Sequence, residues 1–414
     1  MVSSVGEFAV SGVNIIDNIN NLLSIALIAL STGGAVVCSQ YIGRQDQKNS
    51  SLASKQLLYI VTFISLIITV LALVFRRPLV LGLYGRLEDD VMTAAMTYLL
   101  VTALSYPMLA VYNSCAALFR SAGNSQVPMR VAFLVNIMNI FGNAFFLFVL
   151  RIGVLGVALS TLISRSVAAV ILFMMLLRNR RSPVSLSGIL KIKLVPSMIR
   201  KILNIGIPGG LEQSMFQFGR LLTQRIFPVF GTSLIAANAI AAILNSFCFQ
   251  IGNAYCIALI TVVGQCIGAG NYKEAKKYTL KIMKITQITV TIISACLFIF
   301  RKPLIGFFNL SPEAQVAADR FLGLHTISMA LAWTLSFTTP AALRAAGDAK
   351  YVMVIGVVSM WIVRVFFAYL LTFAMGLGPI GVWIAQGGDF VCRSIFFVLR
   401  WRGGKWQKIK VIDN

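Results

Sequence analysis

The sequence predicts an all-α membrane protein made of two six-helix bundles related by a parallel repeat, with the first helix of the N-terminal bundle largely missing. Three observations carry that reading. The 414 residues are 58% hydrophobic and only 12% charged, with a mean hydropathy of +0.84, a composition that calls for a bilayer as solvent. Apolar stretches long enough to cross about 30 Å of hydrocarbon as helix, roughly 20 residues each, recur along the whole chain. The chain also repeats itself once, at a spacing of 225 residues: Gly6, Asn20, Gln40, Gly43, Phe75, Arg76, Pro78 and Gly153 return as Gly231, Asn245, Gln265, Gly268, Phe300, Arg301, Pro303 and Gly378.

In chain order, spans fall near 13–41, 52–75, 92–118, 129–150 and 155–177, then near 202–229, 236–264, 279–300, 315–341, 351–375 and 380–399. The repeat pairs all of them except 202–229, whose mate residues 1–10 supply only in its tail. Most of one helix of a twelve-span protein is therefore expected to be absent. Those first residues have neither a basic start nor a long apolar core, so they do not read as a signal peptide. Six spans separate each residue from its repeat mate, and six is even, so the bundles face the same way across the membrane.

Residues 1–177 form the N-terminal bundle, 178–201 a cytoplasmic linker and 202–414 the C-terminal bundle with a basic tail. The linker opens on Arg178-Asn179-Arg180-Arg181-Ser182-Pro183. Further along, Ile189, Leu190, Ile192, Leu194 and Val195 mix with Lys191 and Lys193, a pattern that suits either an amphipathic segment on the inner leaflet or a plain tether. Gly43, Gly268, Gly123 and Gly347 fall at helix ends, where a left-handed residue caps the last turn. Pro107, Pro208, Pro228 and Pro340 mark bends.

Of 36 lysines and arginines, 24 lie in alternate loops and the tail and seven in the opposite loops, which places the carboxyl terminus in the cytoplasm. The net charge of +23 is spread over many helix ends, so it suits anionic membrane lipid and not nucleic acid. Seven cysteines lack metal-ligand spacing and read as small buried side chains. The chain has a single histidine, His325, and neither a nucleophile elbow nor a phosphate-cradling loop. An enzyme is therefore not expected, and neither is a catalytic residue, a metal or a resident cofactor. His325 reads as a hydrogen-bonded packing residue.

Of the thirteen acidic residues, Asp17, Glu212 and Asp389 lie well inside spans. A carboxylate there is costly and faces a cavity or a partner, so all three are candidates for ion or proton coupling. Glu212 sits among Gln213, Gln217, Arg220 and Gln224, a stripe that suits water. It is either the site of an exchangeable cation or proton, or the permanent partner of Arg220 or another arginine. Asp17, beside Asn14 and Asn18 near the outer end of its span, reads as an interfacial helix-start residue. Asp389 has Arg393 one turn later and Arg364 on the preceding span, which forms an intramembrane ion pair. Asn139, Asn143, Gln213, Gln217 and Asn245 are candidates to line a substrate cavity, with aromatic and methionine side chains as its apolar surface.

Ser39-Gln40-Tyr41-Ile42-Gly43, Leu118-Phe119-Arg120-Ser121-Ala122-Gly123-Asn124, Asn139-Ile140-Phe141-Gly142-Asn143, Gly264-Gln265-Cys266-Ile267-Gly268, Leu343-Arg344-Ala345-Ala346-Gly347-Asp348 and Gly381-Val382-Trp383-Ile384-Ala385 together resemble the multidrug and toxic-compound extrusion family along essentially the whole chain. The resemblance implies twelve helices in two lobes and antiport of organic cations against protons or sodium ions, by a monomer in a bacterial inner membrane. Glu212 resembles the acidic position on that family's seventh helix. Where proton-coupled members end the Asn139 motif in aspartate this chain has Asn143, and where sodium-coupled members often carry an aspartate before the Leu-Arg-Ala motif it has Trp333-Thr334. The rival transporter is a flippase for lipid-linked oligosaccharide or another amphiphile. The rivals of another class are a membrane-embedded enzyme and a non-transporting receptor.

Overall fold

The computed structural model describes residues 6–85, 87–179 and 182–412, and no strand occurs among them. Met1 to Val5, Arg86, Arg180 and Arg181, which the sequence reading used, lie outside the described residues. The helices are α1 (Glu7–Gly43), α2 (Gln47–Val74), α3 (Arg76–Tyr84), α4 (Asp89–Leu104), α5 (Tyr106–Ser121), α6 (Gln126–Val149), α7 (Gly153–Arg178) and α8 (Pro196–Gln224). They continue as α9 (Thr232–Gly268), α10 (Tyr272–Ile299), α11 (Arg301–Gly306), α12 (Pro312–Ala345), α13 (Ala349–Ala374) and α14 (Ile380–Arg402).

Every expected span has a helix. Among the described residues, nine are long and apolar enough to cross a membrane, or ten if α4 and α5 count as one span bent by 45°. That bend sits at Ser105, with Pro107 in the first turn of α5, where the missing amide donor costs nothing. The remaining helix, α8, has the length, at 29 residues, but carries Glu212, Arg220 and several glutamines and has Pro208 inside it. Pro340 lies inside α12, and Pro228 lies in the short turn Phe227–Phe230.

Two compact units divide the chain, Met1–Gly210 and Leu211–Asn414. The boundary falls inside α8, beyond the expected start of the second bundle at residue 202, because Gly206 packs against Leu30 of α1 closely enough that any side chain there would touch its backbone. Each unit repeats the other's neighbour pattern. In the first, α1 packs on α2, α4 and α5, while α7 packs on α4, α5 and α6. In the second, α9 packs on α10 and α12, while α14 packs on α12 and α13. The exposed apolar faces match as well: Phe63, Ile67 and Val74 on α2 and Ile288, Ile292 and Ile299 on α10 are repeat mates at helical spacing, the pattern of faces turned to lipid.

The turns that join α1 to α2 and α9 to α10 also match, with one correction to the sequence reading. Gly43 and Gly268 stay helical, and the left-handed residues are Gln45 (φ 61°) and Gly270 (φ 72°), two positions on. One further right-handed residue, Arg44 or Ala269, is inserted before the chain turns. The next side chain caps the following helix: Asp46 accepts from the Asn49 amide at 3.0 Å, and Asn271 accepts from the Glu274 amide at 3.1 Å. Gly123 (φ 81°) and Gly347 (φ 90°) do adopt the expected conformation.

Two further expectations change. The described chain opens on α1, an N-terminal helix of 37 residues whose first turn holds Glu7, and this gives no support to a missing first helix. Asp17 is accordingly not a helix-start residue, since α1 begins three turns before it.

Candidate functional site

A buried polar cluster of the second unit gathers against α8, whose inward face runs Glu212, Phe216, Gly219 and Thr223 at helical spacing. Glu212 is 5% exposed, and both its carboxylate oxygens accept from Nη2 of Arg344 at 2.7 Å. Arg344 belongs to the last turn of α12 and not to a loop, as the span boundaries had suggested, and its side chain is 19% exposed. Gly356 on α13 makes the room: a methyl group there would stand 3.0 Å from Glu212 Oε1. Of the two readings open for Glu212, the geometry contains the arginine pair, made with Arg344 and not with Arg220. Gln213, Gln217, Arg220 and Gln224 flank that inward face and are exposed or half-buried.

One turn along α8, Phe216 turns its ring to two guanidinium groups, 4.6 Å from Arg393 and 5.7 Å from Arg364. These are the arginines around Asp389. Asp389 is fully buried, accepts from Ser359 Oγ at 2.6 Å, and lies 3.3 Å from Arg393 Nε and 3.9 Å from Arg364 Nη1. Phe337 covers Arg393 on another side at 4.7 Å, so cation–π contacts replace part of the lost hydration. Arg364 Nη2 also donates to Gln386 Oε1 at 2.7 Å. The Gln386 amide nitrogen then lies 3.0 Å from His325 Nδ1; with its oxygen taken by Arg364 it donates, which assigns the imidazole proton to Nε2. His325 is packed against Trp383.

Two guanidiniums thus share one carboxylate in a buried site, and Arg364 Nε with Arg393 Nη2 finds no acceptor among the described residues. Arg364 lies in a widened π-helical stretch, Met360–Phe366, a distortion often met at functional positions.

Asp17 belongs to the first unit, where it is exposed and accepts from Tyr98 at 3.0 Å and from Asn20 at 3.4 Å. Asn20 in turn accepts from Tyr106 at 2.7 Å. Asn139 and Asn143 are brought together at 3.1 Å. Asn139 also accepts from Ser160 through its backbone oxygen at 3.0 Å, a polar clasp between α6 and α7. Asn245 is buried in the second unit and donates to the Ala241 carbonyl at 2.8 Å. Sequence reasoning missed Arg344, Ser359, Gln386 and Phe216. An arginine close to a span end was the one available signal for the first; nothing local marks the others.

Bundles of recurring layout with ionisable side chains held inside them describe a polytopic membrane transporter of the secondary kind. A model of the MatE family matches residues 1–145 and 208–370, and the chain belongs to that family. It is 28% identical over 411 residues to the uncharacterized transporter YisQ of Bacillus subtilis, covering 98% of this chain and 89% of that protein. It is also 28% identical over 426 residues to the probable multidrug resistance protein NorM of Thermotoga maritima, covering 98% and 87%. Among solved structures, a MATE in the bent conformation has a TM-score of 0.91 at 19% identity, covering 98% of this chain and 90% of that one. A MOP superfamily transporter from Pyrococcus furiosus, described as having a binding pocket of reverse polarity, has a TM-score of 0.90 at 20% identity, covering 99% and 91%.

Proposed function

We propose that the chain is a secondary active exporter of organic compounds, the cationic class being the one that the family resemblance implies, driven by a proton or sodium gradient across a bacterial inner membrane with its carboxyl terminus in the cytoplasm. The observation that carries this reading is the buried Glu212–Arg344 pair. A carboxylate held by a single guanidinium nitrogen has one partner to exchange, so a proton or sodium ion arriving at Glu212 displaces Arg344, which is the more exposed of the two. The pair is then a latch: closed without the ion, open with it. Its opening biases the packing of α8 against α12 and α13, the elements that the pair and Gly356 hold together.

The experiment is dye extrusion by reconstituted protein under separately imposed proton and sodium gradients, wild type against Glu212→Gln. Gradient-driven efflux by wild type and its loss in the variant, with insertion intact, support the reading. Efflux unchanged in the variant removes Glu212 from the mechanism.

A second reading has its own observation. The excess of buried positive charge around Asp389 favours a substrate with an anionic group, as for a flippase of an amphiphile. Extrusion of an anionic amphiphile but not of cationic dyes, with loss in Arg364→Gln, would select it.

A further inference from the structure

Residues 184–195 join α7 to α8 without forming a helix, yet they are fixed to α2 at four points. Ser51 Oγ donates to the Ser185 carbonyl at 2.6 Å, and the Tyr59 hydroxyl donates to the Ile189 carbonyl. Gln56 closes the segment with both ends of its amide, donating to the Lys193 carbonyl at 2.7 Å and accepting from the Val195 amide at 3.0 Å. Val184, Leu186 and Ile189 are the buried side chains of the segment. The segment is therefore a fastened strap and not a loose tether.

Its outer face is the unusual part: Leu190 is 93% exposed, Ile192 75% and Leu194 59%, with exposed Lys191 and Lys193 between them. Three large apolar side chains at such exposure cost free energy if water is their only neighbour. The anchoring residues give the depth. The stretch of α2 from Gln47 to Gln56 is polar, and from Leu57 to Val74 it carries no charge, a length of about 27 Å at 1.5 Å per residue, close to the hydrocarbon thickness. Gln56 and Tyr59 straddle that change, so the strap lies at the level where headgroups meet acyl chains.

We propose that residues 184–195 form an interfacial anchor for anionic lipid. Leu190, Ile192 and Leu194 enter the acyl boundary, and Lys191 and Lys193 reach back to headgroup phosphates, as long basic side chains do at this depth. The occupant is the lipid leaflet and not a second protein because apolar groups at that level of a spanning bundle meet lipid first, and because the two lysines supply charge that a phosphate complements. The anchor goes beyond the export reading and stands whether or not Glu212 couples an ion.

The test is amide hydrogen exchange of the full chain in nanodiscs of phosphatidylcholine alone and of phosphatidylcholine mixed with phosphatidylglycerol. The Lys191 and Ile192 amides, bonded to Gly188 and Leu190, should exchange about 25-fold more slowly with phosphatidylglycerol, about fivefold for each lysine near an anionic surface. Salt at molar strength should remove the difference, the screening length then being about 3 Å. Lys191→Ser with Lys193→Ser should equalise the two lipids. Lys405→Ser with Lys408→Ser, at the far end of the chain, should leave the difference in place, and unchanged exchange in α1 and α9 certifies folding. Equal rates in both lipids for wild type, or a lipid difference that survives loss of both strap lysines, overturns the proposal.

Discussion

Replacing Arg344 with glutamine strands the Glu212 carboxylate, and the structure sets the size of the effect. At 2.7 Å and an effective dielectric of about 20, two unit charges attract by about 6 kcal/mol, much of which desolvation offsets. Removing one partner of such a pair costs about 3–5 kcal/mol; Arg344 is 19% exposed, so water already shares in its solvation and the lower end applies, about 3 kcal/mol. For a unit the size of Leu211–Asn414 that corresponds to a melting point lower by roughly 6–12 °C. Glu212→Gln should cost less, because the freed guanidinium reaches water. The double variant, neutral on both sides, should recover most of the loss of Arg344→Gln. The assay is the fraction of detergent-purified protein that stays monodisperse after heating, measured for the wild type and three variants. An Arg344→Gln variant as stable as wild type, or a double variant no better than it, would refute the pairing argument.

Three other expectations follow from single contacts. Gly356→Ala places a methyl group 3.0 Å from Glu212 Oε1; the carboxylate must shift, and stability should fall by about 1–3 kcal/mol in the same heating assay. Ser359→Ala removes a 2.6 Å hydrogen bond to buried Asp389 and should cost about 1.5–3 kcal/mol, less than Asp389→Ala, which leaves Arg364 and Arg393 without their carboxylate. Asp46, at the turn outside the spans, has its pKa held below the ordinary carboxylate value, chiefly by the hydrogen bond from the Asn49 amide. Its capping contribution, about 1 kcal/mol, is therefore complete above that ordinary value and disappears as pH falls through the lowered one. Exchange protection at the start of α2 should drop in acid, whereas the start of α10, capped by Asn271, should not respond; equal acid sensitivity at both turns would contradict this.

The parts of this account visible in the sequence were those set by local pattern. Span placement follows from uninterrupted hydropathy, and the duplication from residues such as Asn20 and Asn245 at one fixed spacing. Asp389 and Arg393 stand one helical turn apart on α14, so their meeting needs only helix geometry, and Arg364 enters from the span before. Glu212 and Arg344 are separated by 132 positions with α9, α10 and α11 between their two helices, and no periodicity points across that distance. Counting spans also misled in detail: Arg344 reads as loop charge because a basic residue at a span end is normally solvated. The same limit applies to the glycines. Gly43 and Gly268 carry the composition of a cap, yet one extra right-handed residue moves the left-handed conformation to Gln45 and Gly270. On α8 the glutamine stripe was legible, but which neighbouring face packs inward depends on Gly219 meeting Met360 and Gly356 meeting Glu212, which are contacts between distant segments.

The central claim is that Glu212 exchanges Arg344 for the coupling ion, and ion movement tests it most directly. Proteoliposomes with a proton-sensitive dye inside, and separately with labelled sodium, are given substrate and the resulting ion flux is recorded. Wild type should move one of the two ions in response to substrate, and Glu212→Gln, inserted and folded, should move neither. Substrate-driven ion flux at the wild-type rate in Glu212→Gln would contradict the account.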